Sequence, residues 1–168
     1  MKNLVLIRHA KSSWEDPELD DRDRPLNGRG KRDAPLMGAV LRKRGLSPDS
    51  IISSPARRAL KTAKLIAAQI GFPLSQIAVD DRIYLAEVTT LLAVIQGLPD
   101  DSNQTILFGH NPGFTELVNT LTETGIGNVP TCGVAAIEFP VDTWAAVSPA
   151  AGRLKFFDYP KQHRSSED

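Results

Sequence analysis

The chain lacks most features that would settle its function at a glance. Cysteine occurs once in 168 residues, at Cys132. One thiol excludes an internal disulfide, and such sparing use fits a reducing compartment. No apolar run approaches the ~20 residues needed to span a bilayer. Only four apolar residues, Leu4 to Ile7, precede Arg8; this is far short of the core of a signal peptide, so a cytoplasmic location is expected. A surplus of charge is also missing, since 20 Lys and Arg face 20 Asp and Glu. That balance gives no general pull towards nucleic acid or an anionic membrane, and neither is expected as a partner. Any affinity for phosphate must therefore be local.

The length suits a single domain that buries roughly 70% of its unfolded surface. Neither an internal repeat nor an interior linker is visible, and residues 161–168 form a polar tail that is expected to fray, leaving a domain over 1–160. Strands are expected over 3–7, 50–53, 77–79, 105–108, 134–139 and 153–157. Between several of them lie apolar stripes at helical spacing. Ala56, Ala59, Leu60, Ala63, Ile66, Ala67 and Ile70 form one, with Ser54 as expected N-cap, Pro55 at the first helical position and Gly71 as the stop. Val88, Leu91, Leu92, Ile95 and Leu98 form a second, stopped by Pro99, and Phe114, Leu117, Val118 and Leu121 a third, opened by Asn111 and Pro112. Met37, Val40, Leu41 and Gly45 mark the end of an earlier helix, which starts somewhere within 28–35. Strands alternating with helices indicate an α/β fold with a largely parallel central sheet.

Against this background the strand ends stand out. Leu4-Val5-Leu6-Ile7 stops at Arg8-His9, and Thr105-Ile106-Leu107-Phe108 runs through Gly109 to His110. Carboxyl ends of strands are where open α/β sheets place their ligands. One histidine there is as easily a packed residue as a functional one, but two in equivalent places suggest a shared crevice. An adjacent guanidinium favours a phosphate or carboxylate over a metal cation. The third strand end leads into the helix carrying Arg57 and Arg58. Helical phase separates them: Arg57, Lys61 and Lys64 fall on one solvated stripe, whereas Arg58 falls with Thr62 beside the apolar face, near a helix N-terminus that suits an anion. A metal reading of His9 and His110 finds few partners, because His163 lies in the tail, Cys132 is isolated and Arg8 and Arg58 would crowd the ion. The polar, Asp-rich segment 10–26, with Trp14, Pro17 and Pro25, is long for a structureless connection; it is read as a wall or lid of the site.

These residues carry a resemblance. Arg8-His9-Ala10-Lys11-Ser12-Ser13-Trp14 resembles the signature of the histidine phosphatase superfamily, with Ala10 where most members have glycine. Leu26-Asn27-Gly28-Arg29-Gly30 resembles its second block, the run from Ser53 to Ala63 its third, and Gly109-His110-Asn111-Pro112-Gly113 its fourth. The blocks stand in family order over residues 4 to about 120. The short length, Ala10 and the form of the fourth block are most similar to the small phosphohistidine phosphatase branch. The resemblance implies a single-domain three-layer sandwich of the phosphoglycerate mutase-like kind. It also implies His9 as nucleophile, Arg8, Arg58 and His110 as a clamp on the phosphoryl oxygens, and no metal or cofactor.

The proton donor matches less well. Many relatives place an acid after the third block, and Glu87 in Tyr84-Leu85-Ala86-Glu87-Val88 is the nearest; an acidic residue there also simply suits the start of a helix. Asp20, Asp21 and Asp23 are further options. A site with a weak acid expels imidazole more readily than a basic alkoxide, which favours a phosphorylated protein histidine over a small phosphorylated substrate. A small-molecule phosphomonoesterase, a mutase and a non-catalytic anion-binding module remain as alternatives. The helical phase predicts that Arg58→Ala loses far more phosphatase activity than Arg57→Ala; equal losses would overturn the assignment.

Overall fold

A computed structural model describes residues 1–165. Six strands, β1 (Lys2–Arg8), β2 (Ser50–Ser53), β3 (Ala78–Val79), β4 (Gln104–Gly109), β5 (Val134–Phe139) and β6 (Arg153–Asp158), form one sheet in the order β3-β2-β4-β1-β5-β6. The pairings from β3 through β2 and β4 to β1 are parallel. β5 alone runs against its neighbours β1 and β6. Four longer helices, α1 (Gly28–Lys43), α2 (Arg57–Ile70), α3 (Val88–Gln96) and α4 (Gly113–Thr122), cover the two faces. The fold is thus a single-domain α/β sandwich of three layers, as expected, with all six strands close to the expected positions.

The pleat explains the layers. Leu4 and Leu6 of β1 point to one face and pack with Leu91, Ile95, Phe114 and Leu117 from α3 and α4. Val5 and Ile7 point to the other and pack with Met37, Leu41, Ile66 and Ala67 from α1 and α2. Both faces of β1 are therefore dry, which is why it reads as a continuous apolar run. β1 leads to α1 on one face and its neighbour β4 leads to α4 on the other. The chain separates to opposite sides just beyond these adjacent strand ends, the topological switch point where such sheets hold ligands. No helix among the described residues is long and apolar enough to cross a membrane.

Two local features differ from expectation, and the start of α1 falls within its expected range. α2 is preceded by Ala56 as N-cap, not Ser54. The Ser54 backbone N–H still donates to Phe108 in the sheet at 3.0 Å, so the helix opens later and the Ser54 hydroxyl is used elsewhere. α1 begins at Gly28 and carries Pro35 within it; Asn27 supplies the cap by accepting from the Gly30 N–H at 2.9 Å. Residues 161–165, expected to fray, are held instead. Pro160–Gln162 form a 3-10 turn, His163 meets Asp158 at 2.6 Å, and Arg164 makes two bonds of 3.0 and 2.6 Å to the buried carboxylate of Asp33. A buried carboxylate needs a counter-charge, and the tail brings one. The last three residues of that expected tail, 166–168, lie outside the described residues.

The start of α1 is pressed beneath the loop that follows His9. A Cβ on Gly30 would lie 2.1 Å from the Lys11 carbonyl oxygen, whereas one on Gly28 would meet only the end of Arg32 at 3.4 Å. Gly30→Ala is expected to destabilise by about 2 kcal/mol, lowering Tm by roughly 4–8 °C. Gly28→Ala is expected to leave Tm within about 2 °C of the parent. Thermal unfolding of the two variants checks the contrast.

Candidate active site

The strand register assembles the site. Arg8 pairs with Gly109 and Ser53 with Phe108, so His9, Ser54 and His110 emerge together at one end of the sheet. The rings of His9 and His110 lie 5.3 Å apart between centroids. Around them is an open cavity of about 280 Å³, whose lining includes Arg8, Asp21, Arg24 and Arg58.

His9 is oriented by the backbone of the residue that follows it. Its Nδ1 lies 2.8 Å from the Ala10 carbonyl oxygen, which can only accept. The ring proton is thereby assigned to Nδ1, and Nε2 keeps a free lone pair. The Ala10 N–H donates to Thr62 Oγ1 at 3.0 Å, and that hydroxyl donates to the Arg58 carbonyl at 2.7 Å, tying the turn to α2. The Ala10 side chain is buried in the layer beneath α1 and α2. On the other side, the Cys132 N–H donates to the carbonyls of Arg8 and His9, both at 3.0 Å. Cys132 itself is enclosed and its thiol is pushed up by burial, so it is a packing residue.

Both imidazoles are neutral in this setting. Burial lowers His9 to about 4; the Ala10 carbonyl opposes this and Arg58, Arg8 and Arg24 reinforce it. Burial, the neighbouring His9 and Arg58 lower His110 to about 3. His110 Nε2 lies 2.7 Å from Ser54 Oγ and its Nδ1 3.4 Å from Arg58 Nη2. Arg58 can only donate, so Nδ1 is the accepting nitrogen and Nε2–H points to Ser54. The Ser54 hydroxyl thus serves His110 and also accepts the Ala56 N–H at 3.2 Å, just before the helix begins.

Arg58 lies close enough to Arg8 to act on its charge. Burial first, then Arg58, lowers the Arg8 pKa. Arg8 Nη1 donates to the Val129 carbonyl at 3.1 Å, while the Nε groups of Arg8 and Arg58 are buried without acceptors. Donors outnumber acceptors, which is the electrostatic complement of an oxyanion.

Asp21 is the carboxylate that the fold brings here. Its backbone oxygen accepts from Arg58 Nη1 at 2.6 Å and its Oδ2 from Arg58 Nη2 at 2.9 Å; the Tyr84 hydroxyl also donates to Oδ2, and Arg24 Nε to Oδ1 at 3.1 Å. Partial burial raises the Asp21 pKa, but Tyr84, Arg58 and Arg24 outweigh it and hold the group at about 2. Glu87 is exposed at the N-cap of α3, and Glu87, Asp20 and Asp23 do not line the cavity. The segment 10–26 forms one wall through Lys11, Ser12, Trp14, Asp21 and Arg24. Trp14 is 73% exposed at the rim, pinned by the Arg24 guanidinium 3.5 Å over its ring, and Leu85 is 54% exposed on the opposite connection. Among the described residues no three His, Cys, Asp or Glu side chains are grouped to hold a metal ion.

The remaining block follows the same economy. Asn111 Oδ1 accepts from the Thr115 N–H and hydroxyl at 3.2 and 2.9 Å, closing the first turn of α4. A Cβ on Gly113 would lie 2.2 Å from the Ala86 carbonyl oxygen, so glycine there lets α4 approach the connection that carries Leu85.

The model of the histidine phosphatase superfamily (branch 1) matches residues 4–88. The chain belongs to that superfamily. The chain is 31% identical over 160 residues to an uncharacterized chloroplastic protein of Arabidopsis thaliana, covering 90% of this chain and 72% of that one. Its fold overlays on a candidate phosphohistidine phosphatase SixA of Agrobacterium tumefaciens with a TM-score of 0.79 and 27% identity, covering 95% and 98% of the two chains. A protein histidine phosphatase SixA complexed with tungstate gives a TM-score of 0.82 over 96% and 99%, at 19% identity, a likeness of fold. The chain therefore sits with the small branch that its four blocks resemble.

Titration of histidine-labelled protein by NMR is expected to show His9 changing charge near pH 4 and His110 near pH 3. Unfolded imidazoles protonate near pH 6.5. Stability from keeping both neutral is thus fully present above pH 6.5 and is lost as the pH falls through the folded values. Titration of both rings near 6.5 would show that the cavity does not desolvate them.

Proposed function

We propose that this chain hydrolyses phosphohistidine on a protein, through a phosphorylated His9. In the first step the lone pair of His9 Nε2 attacks phosphorus as the bond from phosphorus to the substrate imidazole breaks. The substrate ring carries a proton on its other nitrogen, so it departs as neutral imidazole. In the second, water attacks phosphorus, the bond to Nε2 breaks, and inorganic phosphate and neutral His9 result. Arg8, Arg58 and His110 hold the oxygens of the transferring group, with Arg8 and Arg58 supplying the positive charge that phosphoryl transfer needs most. As the phosphoryl group approaches, His110 turns its Nε2–H from Ser54 to one of the oxygens. The tungstate complex of the SixA neighbour, a tetrahedral oxyanion on the same fold, supports an oxyanion site here.

One observation carries the choice of leaving group. The carboxylate lining the cavity is Asp21, and its partners hold it ionised at about 2. It has no proton to donate near neutral pH. An alkoxide leaving group needs such a donor, whereas an imidazole that departs neutral does not. The open 280 Å³ cavity, rimmed by the exposed Trp14, also suits the tip of a side chain on a protein surface better than an enclosed metabolite. A mutase must shield its phosphoenzyme from water, and this opening does not favour that. The chemistry is proposed to need no metal.

His9→Ala is expected to abolish trapping of labelled phosphate and to lower turnover by about 10³-fold or more. Rates on a phosphohistidine protein, a phosphoserine peptide and sugar phosphates, with and without a chelator, complete the test. Turnover by the His9 variant removes the nucleophile, a preference for sugar phosphates removes the substrate, and inactivation by the chelator removes the metal-free reading. Glu87→Gln is expected to stay within about twofold on both the phosphohistidine and the alkyl substrates.

A further inference from the structure

A second concavity, of about 630 Å³, lies beside α2 on the face opposite the sheet. Its floor is aliphatic, with Leu26, Leu60 and Leu65, and its rim carries Lys31, Arg57, Lys61 and Lys64 with no carboxylate among the lining residues. All four cations are exposed. Seven arginines elsewhere, Arg24, Arg29, Arg44, Arg58, Arg82, Arg153 and Arg164, each meet a carboxylate, whereas Arg22, Arg32 and Arg42 do not among the described residues. The four rim cations make no ion pair among the described residues, although the chain has equal numbers of acidic and basic residues.

The spacing limits what could occupy this groove. Arg57, Lys61 and Lys64 follow one helical stripe, which spreads their charges over ~10 Å of helix axis. A single phosphate is too small to engage them together, so the complement is a chain that repeats negative charge. Single-stranded nucleic acid is gripped by stacking on aromatic rings, and none lines this groove. A membrane surface needs apolar side chains that protrude, whereas these leucines lie below the cations. What remains is a polypeptide that alternates carboxylates with apolar side chains. Position gives such a segment a purpose. Arg57 adjoins Arg58, and Leu26 follows the loop that carries Asp21 and Arg24, so the groove begins where the wall of the catalytic cavity ends.

We propose that the groove docks an acidic, amphipathic segment of the protein substrate and thereby delivers its phosphorylated side chain to His9. The identity of the occupant as a substrate rests on the function proposed above; the docking itself is read without turnover. The test uses the full chain and a fluorescein-labelled synthetic peptide with Glu and Leu at helical spacing, followed by fluorescence anisotropy. Saturable binding is expected, weakened about tenfold or more by K61E/K64E and by high salt, and lost when Ser replaces Leu in the peptide. Activity of K61E/K64E on free phosphohistidine is expected to stay within about twofold of the parent, showing an intact fold and site. If that activity is lost, K61A/K64A provides the same comparison with a milder change. Absence of binding, binding unchanged in the variants, equal binding of the Leu-free peptide, or a preference for single-stranded RNA or phosphatidylglycerol vesicles would each overturn the docking site. Peptide binding without phosphohistidine hydrolysis would keep the groove and remove the substrate reading; hydrolysis without binding would remove the groove alone.

Discussion

The structure is organised by one electrostatic constraint, the crowding of Arg8 and Arg58 around two imidazoles at the end of a dry sheet. Burying like charges together is unfavourable unless something answers them. The nearby carbonyl of Val129 and the carboxylate of Asp21 do so in part. Neutral histidines follow from the same constraint, since a third or fourth positive charge in that space would add to the repulsion. The available lone pair that the proposed nucleophile needs is thus a by-product of the surroundings that would bind the anion. His9 and the clamp are not independent features; the arginines help to keep His9 unprotonated, and the backbone contact to Ala10 selects which nitrogen is free.

Asp21 shows how far that constraint reaches. It links Arg58, Arg24 and Tyr84, and so fastens the wall formed by segment 10–26 to α2 and to the connection before α3. The same contacts that make it a good fastener make it a poor acid. A carboxylate held by two guanidinium groups and a phenol is ionised across the whole physiological range. Positioning and proton donation are therefore competing uses of one side chain, and here the first prevails. In the proposed reaction the leaving group is one that departs without help, which connects the loop's architecture to that chemistry.

Much of this was legible in the chain because it rests on local periodicity. The apolar run of β1 and the stripes of α2, α3 and α4 read correctly because burial on one or both faces writes a period into the sequence. The partnership of His9 with His110 was legible too, since each directly ends or follows a strand. What local patterns miss are side chains serving a distant group. Ser54 looks like a helix cap and instead supports His110, 56 residues away. Arg164 looks like part of a loose tail and instead neutralises Asp33, 131 residues away. Glu87 occupies the expected stretch along the chain, yet the carboxylate at the cavity is Asp21, whose place depends on how a long loop folds back. Linear motifs record which strand ends meet; they do not record which loop residue reaches over them.

The apparent conflict between Asp21 and an incoming phosphoryl group is resolved by counting donors. A guanidinium presents five N–H groups in a planar fork. Asp21 uses one on Nη1 and one on Nη2 of Arg58, and Nε of the same residue has no acceptor. Arg8 likewise commits Nη1 to Val129 and leaves Nε unpaired. The carboxylate therefore fixes the plane of Arg58 without exhausting it. It also offsets only part of the positive charge contributed by Arg8, Arg24 and Arg58, so the cavity stays attractive to an anion while its loop remains closed. Removing Asp21 would raise the bare charge of the site but free the guanidinium to turn. For a reaction whose catalysis consists mostly of holding charge in place, orientation is worth more than one additional unit of attraction.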